Sequence, residues 1–181
     1  VGGRAGEGLA CLDAGDLVCA IEVRDSLKGT RSEAALHLGM RVAFREGRYA
    51  DALKILDSLE RMGVDVAATD SNPYRPTAAA AAGFIEARAP GVVLRHAGGL
   101  ERVLVEDGID VLTASRATYD PLFGGGPNHE VLLDIYPSAR RFIAASGLPP
   151  EAVRTTGVVA LSKWSRLLIS SPRARARGYG W

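Results

Sequence analysis

Histidines are the residues of this sequence best suited to acid–base or metal chemistry, and the chain has three: His37, His96 and His129. Near neutral pH an imidazole can take up or release a proton, and its neutral ring can bind a metal ion. The three are far apart in the sequence. None belongs to a His-Glu-x-x-His motif, which places two ligands on one face of a helix. We therefore expect each histidine to have a structural role and predict no metal site.

Glycine-rich and serine-containing motifs are the next candidates for chemistry. Three consecutive glycines stand at 124–126, but the Lys-Ser/Thr pair that completes a P-loop does not follow them, and no strong strand pattern precedes them. The sequence contains no Gly-x-Ser-x-Gly motif that would hold a nucleophilic serine. We therefore predict a linker at 124–126, no cofactor and a protein that is not an enzyme.

Cys11 and Cys19 are the two cysteines of the chain. Two thiolates cannot complete the four-ligand shell of a structural zinc ion, and a single possible pair does not make a disulfide framework. We predict that both side chains are buried as small hydrophobic residues.

The C-terminal part of the sequence holds the candidate binding residues. All acidic residues precede Ala152, so the segment from Ala152 to Trp181 is purely cationic. Such a segment can neutralise the phosphates of a polyanion, and the aromatic residues between its cations can stack on bases. The candidate RNA contacts are Lys163, Arg166, Arg173, Arg175 and Arg177. The alternative is a solvated tail over 171–181, with Trp164 packed in the last helix.

The elements that position these residues are predicted to be helices. No proline precedes Pro73, so the first 72 residues can be nearly continuous helix. Ser32 is suited to cap a helix over 33–46, which Gly47 ends. A second apolar stripe follows over 50–62, with Gly63 in place for a left-handed C-terminal residue. Two amphipathic helices with so short a connection must lie antiparallel.

The segment 34–67 resembles a pentatricopeptide repeat. The residues that carry the resemblance are Gly47-Arg48-Tyr49, Ala52-Leu53, Ile55-Leu56, Leu59 and Gly63-Val64-Asp65. From Tyr49 onward the segment is also similar to a tetratricopeptide repeat, although Gly39 stands where that family prefers Leu. A degenerate earlier copy begins at Gly2, and its Gly15 lies 32 residues before Gly47, a period typical of stacked helical hairpins.

The resemblance implies an organellar helical-repeat protein, located in a mitochondrion or plastid, with a cytoplasmic location as the alternative. Members of the family read single-stranded RNA with polar side chains at two positions of each repeat. The matching positions here hold Leu38 and Ala68, and Ala5 in the earlier copy. None of these side chains can hydrogen-bond a base edge, so the repeat is expected to be structural.

The region after the turn-rich stretch 69–76 is also predicted to be helical, with helices over 78–89, 100–107, 130–135, 138–146 and 150–169. The predicted fold is therefore all-α. Stacked antiparallel helical hairpins, like those of an α-solenoid, occupy 1–68. An irregular helical region occupies 77–170, and a basic tail occupies 171–181.

These predictions favour a non-enzymatic scaffold or RNA-associated component of an organellar ribonucleoprotein, such as a mitochondrial or plastid ribosome. Its partners would be other protein subunits and, through the basic tail, structured RNA. The first alternative is a helical accessory subunit of an organellar membrane complex that contacts proteins alone, and the second is a free bacterial or phage binding protein. No apolar run approaches the roughly 20 residues that cross a bilayer, so we expect no transmembrane segment.

Overall fold

The first part of the chain consists of helices arranged in hairpins. The computed structural model describes residues 2–66, 73–126 and 129–174, and the chain divides into two units, Val1–Ala78 and Ala79–Trp181. The helices of the first unit are α1 (Gly2–Asp13), α2 (Leu17–Ser26), α3 (Glu33–Arg45) and α4 (Tyr49–Arg61). Helix α1 packs on α2, helix α3 packs on α4, and both α1 and α2 contact α3. Helix α5 (Tyr74–Ala80) contains the division between the units.

Local signals in the sequence explain the hairpin of α3 and α4. Ser32 caps α3, because its hydroxyl oxygen accepts a hydrogen bond from the Ala35 N–H at 3.3 Å. Gly47 and Gly63 follow the two helices with φ of +75° and +81°, in the left-handed region that glycine adopts at little cost. The predicted helices over 33–46 and 50–62 are confirmed, apart from shifts of a residue at their ends.

Apolar side chains fill the space between α1, α2 and α3. Leu38 is fully buried in a cluster with Leu12, Leu17 and Val42. Gly8 allows α1 and α3 to approach closely, because a Cβ at this position would lie 2.5 Å from Cδ2 of Leu38. Leu38 is therefore a packing residue. Ala68, the second position that matches the base-reading residues of the repeat family, lies outside the described residues.

Cys11 of α1 and Cys19 of α2 form a disulfide. The prediction of two separate buried thiols is wrong, because the hairpin brings their Cα atoms to 5.8 Å, within the range that a disulfide bridges. The spacing in the sequence does not reveal this pairing. It depends on the turn at Gly15, which folds α2 back along α1.

The second unit contains a mixed five-stranded sheet, and the prediction of an all-α fold is wrong. The strands are β1 (Ile85–Ala89), β2 (Val92–His96), β3 (Val131–Tyr136), β4 (Ala160–Lys163) and β5 (Arg166–Ser170). Their order in the sheet is β1-β2-β3-β5-β4. The central strands β2, β3 and β5 are parallel, and the edge strands β1 and β4 are antiparallel to their neighbours.

Burial on both faces of the sheet explains the error. Strands β2 and β3 are almost entirely buried, so they lack the alternation of apolar and polar residues that marks a half-exposed strand. A short apolar run of this kind cannot be distinguished from a buried helical turn by its periodicity. The helices predicted over 78–89, 130–135 and 150–169 are replaced wholly or partly by β1, β3, β4 and β5.

Helices cover both faces of this sheet. On one face, α6 (Val105–Tyr119) packs on Leu94, Leu133 and Ile135. On the other face, Phe142 of α7 (Ala139–Ser146) packs with Tyr136 and Leu168, together with α8 (Pro150–Thr156). The predicted helix over 138–146 is confirmed as α7.

The helices in the described ranges of the chain are too short or too polar to cross a membrane.

Candidate functional site at the carboxyl ends of the parallel strands

The carboxyl ends of β2 and β3 form the best candidate for a binding site. From the end of β2 the chain continues to α6 on one face of the sheet, and from the end of β3 it continues to α7 on the other face. Open α/β sheets bind ligands in the crevice that opens where neighbouring strands lead to helices on opposite faces. The segments after β2, β3 and β5 therefore line a candidate crevice, which we call the strand-end crevice.

The loop after β2 supplies backbone groups to this crevice. His96, the last residue of β2, is 4% exposed, and its Nδ1 accepts a hydrogen bond from the Gly98 N–H at 3.0 Å. An Nδ1 that accepts leaves the proton of the neutral ring on Nε2. Gly98 and Gly99 have φ of +76° and +63°. A Cβ at Gly98 would lie 3.2 Å from Cδ1 of Ile85, whereas the space beside Gly99 is open, so the backbone of Gly99 can come close to a ligand.

A buried carboxylate holds a cation at the same end of the sheet. Glu101, in the loop after β2, is 1% exposed and accepts two hydrogen bonds from Arg173, at 2.5 and 3.2 Å. The Arg173 side chain remains 50% exposed. Since β3 lies between β2 and β5, this ion pair links the segments on either side of the end of β3. The edge of the guanidinium formed by Nε and Nη2 is thus fixed by Glu101, and half of the side chain remains exposed to solvent.

The segment after β3 adds polar groups to the strand-end crevice. Ser138 caps α7, since its hydroxyl oxygen accepts the Arg141 N–H at 3.3 Å. Arg140, in the first turn of α7, is exposed. The Ser171 N–H donates to the Tyr136 carbonyl oxygen at 2.8 Å, which keeps the chain after β5 close to the end of β3.

A buried ionic cluster lies within the sheet on its α7 face. Arg95 of β2 donates to both carboxylate oxygens of Asp134 of β3, at 2.8 and 2.9 Å, and the Tyr136 hydroxyl donates to the same carboxylate at 3.0 Å. Arg166 of β5 approaches Asp134 to 3.7 Å. We call Arg95, Asp134, Tyr136 and Arg166 the sheet cluster. It joins the three parallel strands through charged groups.

Burial determines the ionisation of the sheet cluster. Desolvation raises the pKa of Asp134, an effect that the positive charge of Arg95 opposes. Burial and the neighbouring Asp134 carboxylate raise the pKa of Tyr136, so its hydroxyl stays protonated and remains a donor. Burial lowers the pKa of Arg166 to about 9, which leaves the guanidinium charged at neutral pH. The cluster therefore holds two cations around one carboxylate.

The predicted RNA contacts are divided between the two ends of the sheet. Arg173 lies at the strand-end crevice. Lys163 and Arg166 flank the turn between β4 and β5, at the opposite end of β5. Lys163 donates to the Ser146 carbonyl oxygen at 2.9 Å and lies 4.2 Å from the centre of the Trp164 ring, while Arg166 is 1% exposed. Arg175 and Arg177 lie outside the described residues.

Trp164 does not pack in a last helix, as the alternative interpretation of the tail required. It occupies the turn between β4 and β5 with φ of +55°. Two cations approach its ring, Lys163 of the edge strand β4 and, at 5.2 Å, the buried Arg166 of β5. These contacts fix the turn.

The three histidines are not brought together. His37 lies in α3, His96 ends β2, and His129 precedes β3, where its Nδ1 is 2.9 Å from the Glu130 carbonyl oxygen. Within the residues that the structure describes, no group of three His, Cys, Asp or Glu side chains is arranged to hold a metal ion.

Several residues of the site and the sheet cluster have no counterpart among the predicted site residues. The sequence analysis did not identify Glu101, Arg95 or Asp134 as site residues, and it assigned no role to Gly98 and Gly99. A signal was present for two of them: Arg95 directly follows the apolar run Val92-Val-Leu94, and Asp134 interrupts the apolar run Val131-Leu-Leu-Asp-Ile-Tyr136. A charged residue inside such a run is rarely buried unless it is paired, so the two opposite charges could have been matched.

No protein-family model matches the chain, and no curated protein or solved structure matches it either.

Proposed function

We propose that the protein is a non-enzymatic binding protein whose second unit holds the phosphate backbone of RNA at the strand-end crevice. The observation that carries this proposal is the half-exposed Arg173 guanidinium, fixed by the buried Glu101 next to the Gly98–Gly99 loop. A guanidinium with one edge held in place can still donate two parallel hydrogen bonds to a phosphate. Because Glu101 already holds the Arg173 side chain, this side chain loses little conformational entropy when it binds a phosphate.

The chain after Arg173 favours a polymer over a single small anion. Arg175 and Arg177 follow at alternate positions, and no acidic residue follows Glu151. Several cations in series contact successive phosphates, and such contacts fix a nucleic acid in place without reading its sequence. Binding that does not read the sequence is consistent with Leu38, because this packing residue stands at a base-reading position of the repeat and cannot hydrogen-bond a base.

The first unit supports a role in an assembly. Its α3–α4 hairpin carries the pentatricopeptide-like residues, and stacked hairpins of this kind present extended surfaces to protein partners. We propose that the unit contacts other subunits of an organellar ribonucleoprotein, in a mitochondrion or plastid, while the second unit contacts its RNA.

Salt-dependent RNA binding tests this proposal. The full chain is titrated with single-stranded RNAs of unrelated sequence at several salt concentrations, and the variant Arg173→Ala/Arg175→Ala/Arg177→Ala is compared with it. Each lost phosphate contact lowers the slope of log affinity against log salt by about 0.7, so the variant should lose about 2 from the slope for every RNA.

A matched variant removes the same charge elsewhere. Arg4 and Arg61 are exposed arginines of the first unit, and Arg88 is an exposed arginine of β1 beside the start of β2. Their joint replacement by Ala should leave the slope nearly unchanged. If both variants lower the slope equally, RNA binds through net charge alone. If the chain binds no RNA, the second unit is a protein-contact module and the accessory-subunit alternative leads.

A further inference from the structure

Helix α6 and the 3₁₀ turns on either side of it expose an unusual number of large apolar side chains. Among the described residues, most of the large hydrophobic side chains that are exposed lie between Leu100 and Phe123. Helix α6 itself has 15 residues and none of them is buried. Such a concentration of apolar surface is typical of an interaction site, whereas single exposed apolar residues are ordinary.

The two sides of α6 have different surroundings. Val105, Ile109 and Leu112 pack against the sheet. Val111, which is 64% exposed, and Ala114, which is also exposed, lie three residues apart on the opposite side. The 3₁₀ turns on either side of the helix, Gly99–Leu104 and Pro121–Phe123, add Val103, Leu122 and Phe123, which are 73%, 71% and 81% exposed. We call Val103, Val111, Ala114, Leu122 and Phe123 together the outer face of α6.

Exposed carboxylates lie close to these apolar residues in the sequence. Glu106, Asp107 and Asp110 are all exposed in the first half of α6. The positive charge of Arg116 is directed inward instead, since Arg116 donates to the Gly91 carbonyl oxygen at 2.7 Å and to Asp120 at 3.3 Å. The exposed charges of α6 itself are therefore all acidic, and the exposed Arg102 precedes the helix, next to Val103.

The acidic charge of this surface favours a basic partner over a second copy of the chain. In a symmetric dimer the same patch of each copy faces the other, so two copies packed through α6 would bring the carboxylates of both copies into one interface. Like charges across an interface are unfavourable. A helix with apolar residues along one side and Lys or Arg beside them would instead fill the ridge and pair with the carboxylates.

We infer that the outer face of α6 is a docking surface for a basic amphipathic helix of another protein. This surface begins at Val103, two residues after Glu101 of the strand-end crevice, and the inference does not depend on RNA binding. The apolar residues supply the contact area. The carboxylates determine which helices bind and in which orientation a bound helix lies.

Selection from a displayed library of helix-length random peptides tests this inference on the full chain. Selection is made against the unmodified protein, with removal of peptides that also bind the Val111→Ser/Phe123→Ser variant. The enriched peptides should carry Lys or Arg beside apolar residues at helical spacing. Their affinity for the variant should be lower by about tenfold or more, as expected when interface anchors are truncated.

Two further variants complete the experiment. Met62→Ser/Val159→Ser removes exposed apolar side chains elsewhere, at 52% and 44% exposure, and should bind the peptides as the unmodified protein does. Asp107→Lys/Asp110→Lys should lose them and select acidic peptides instead. The inference is overturned if no peptide is enriched, if the enriched peptides are acidic or uncharged, or if the Val111→Ser/Phe123→Ser variant binds them normally. It is also overturned if the chain self-associates and this variant does not, because the occupant is then a second copy.

Discussion

The interior of the first unit consists of aliphatic and aromatic side chains, whereas the sheet of the second unit encloses a charged cluster. Leu12, Leu17 and Leu38 are buried in one cluster between α1, α2 and α3. In the second unit, Arg95 and Asp134 are buried on adjacent strands that are 39 residues apart in the chain. Helix packing in the first unit therefore needs apolar volume, while the sheet also needs matching charges.

The charged pairs of the sheet cluster can form only when β2 and β3 pair in the correct register. Arg95 of β2 lies directly beside Asp134 of β3. A slip of one residue would turn Asp134 to the α6 face of the sheet, because successive side chains of a strand point to opposite faces. We infer that the charges of the cluster specify the alignment of β2 and β3, at a cost in desolvation that apolar residues would not carry.

Removal of the central carboxylate gives the largest expected effect. Asp134→Ala leaves two buried guanidiniums without their shared carboxylate, so the free energy of unfolding should fall by about 3–5 kcal/mol. Both tryptophans, Trp164 and Trp181, belong to the second unit, so tryptophan fluorescence during urea unfolding follows this unit. Asp134→Asn serves as a second variant if the alanine form does not fold. Asp110→Ala, which removes an exposed carboxylate of the same unit, is the control. A loss below about 1 kcal/mol, the scale of an exposed pair, would show that the cluster does not hold the sheet.

Truncation of an apolar core residue in the first unit should have a comparable but slightly smaller effect. Leu38 is fully buried, so Leu38→Ala removes buried methyl groups and leaves a cavity, which costs about 2–5 kcal/mol. Loss of helical circular dichroism with urea measures the change. Leu38→Met nearly conserves the side-chain volume and should cost less than about 1.5 kcal/mol. Equal losses for both variants would argue against a close-packed core at this position.

Loss of a helix cap gives the smallest expected effect. Ser32→Ala removes the acceptor for the Ala35 N–H and should lower the free energy of unfolding by about 1 kcal/mol. Ser32→Asp keeps an acceptor and adds a negative charge near the start of α3, so it should not be destabilising. The same urea titration measures both variants. A serine-to-alanine change without effect would remove the cap from the explanation of the α3–α4 hairpin.

The sequence predicted the elements that are determined locally. Ser32, Gly47, Gly63 and the apolar periodicity between them act within a few residues, so they define α3 and α4 before any packing is known. The strands depend on partners elsewhere in the chain, and β2 and β3 have the composition of a buried segment of either kind. Circular dichroism with clear strand content would be the simplest independent check on the second unit.

The candidate site was predicted only in part, for the same reason. Charge alone identified Arg173, and the structure places it at the strand-end crevice. The sequence could not show that Glu101, 72 residues away, holds its guanidinium, because their contact depends on the order of β2, β3 and β5. Nor could it separate Arg173 from Lys163 and Arg166, which lie at the other end of β5.

Ultraviolet cross-linking of the full chain to single-stranded RNA, followed by mass spectrometry of the cross-linked peptides, tests the central claim most directly. The proposal predicts cross-links in the segments after the three parallel strands, within 97–101, 137–141 and 171–177, and their loss in Arg173→Ala/Arg175→Ala/Arg177→Ala. Cross-links confined to the Lys163–Arg166 turn or to the helices of the first unit would contradict it.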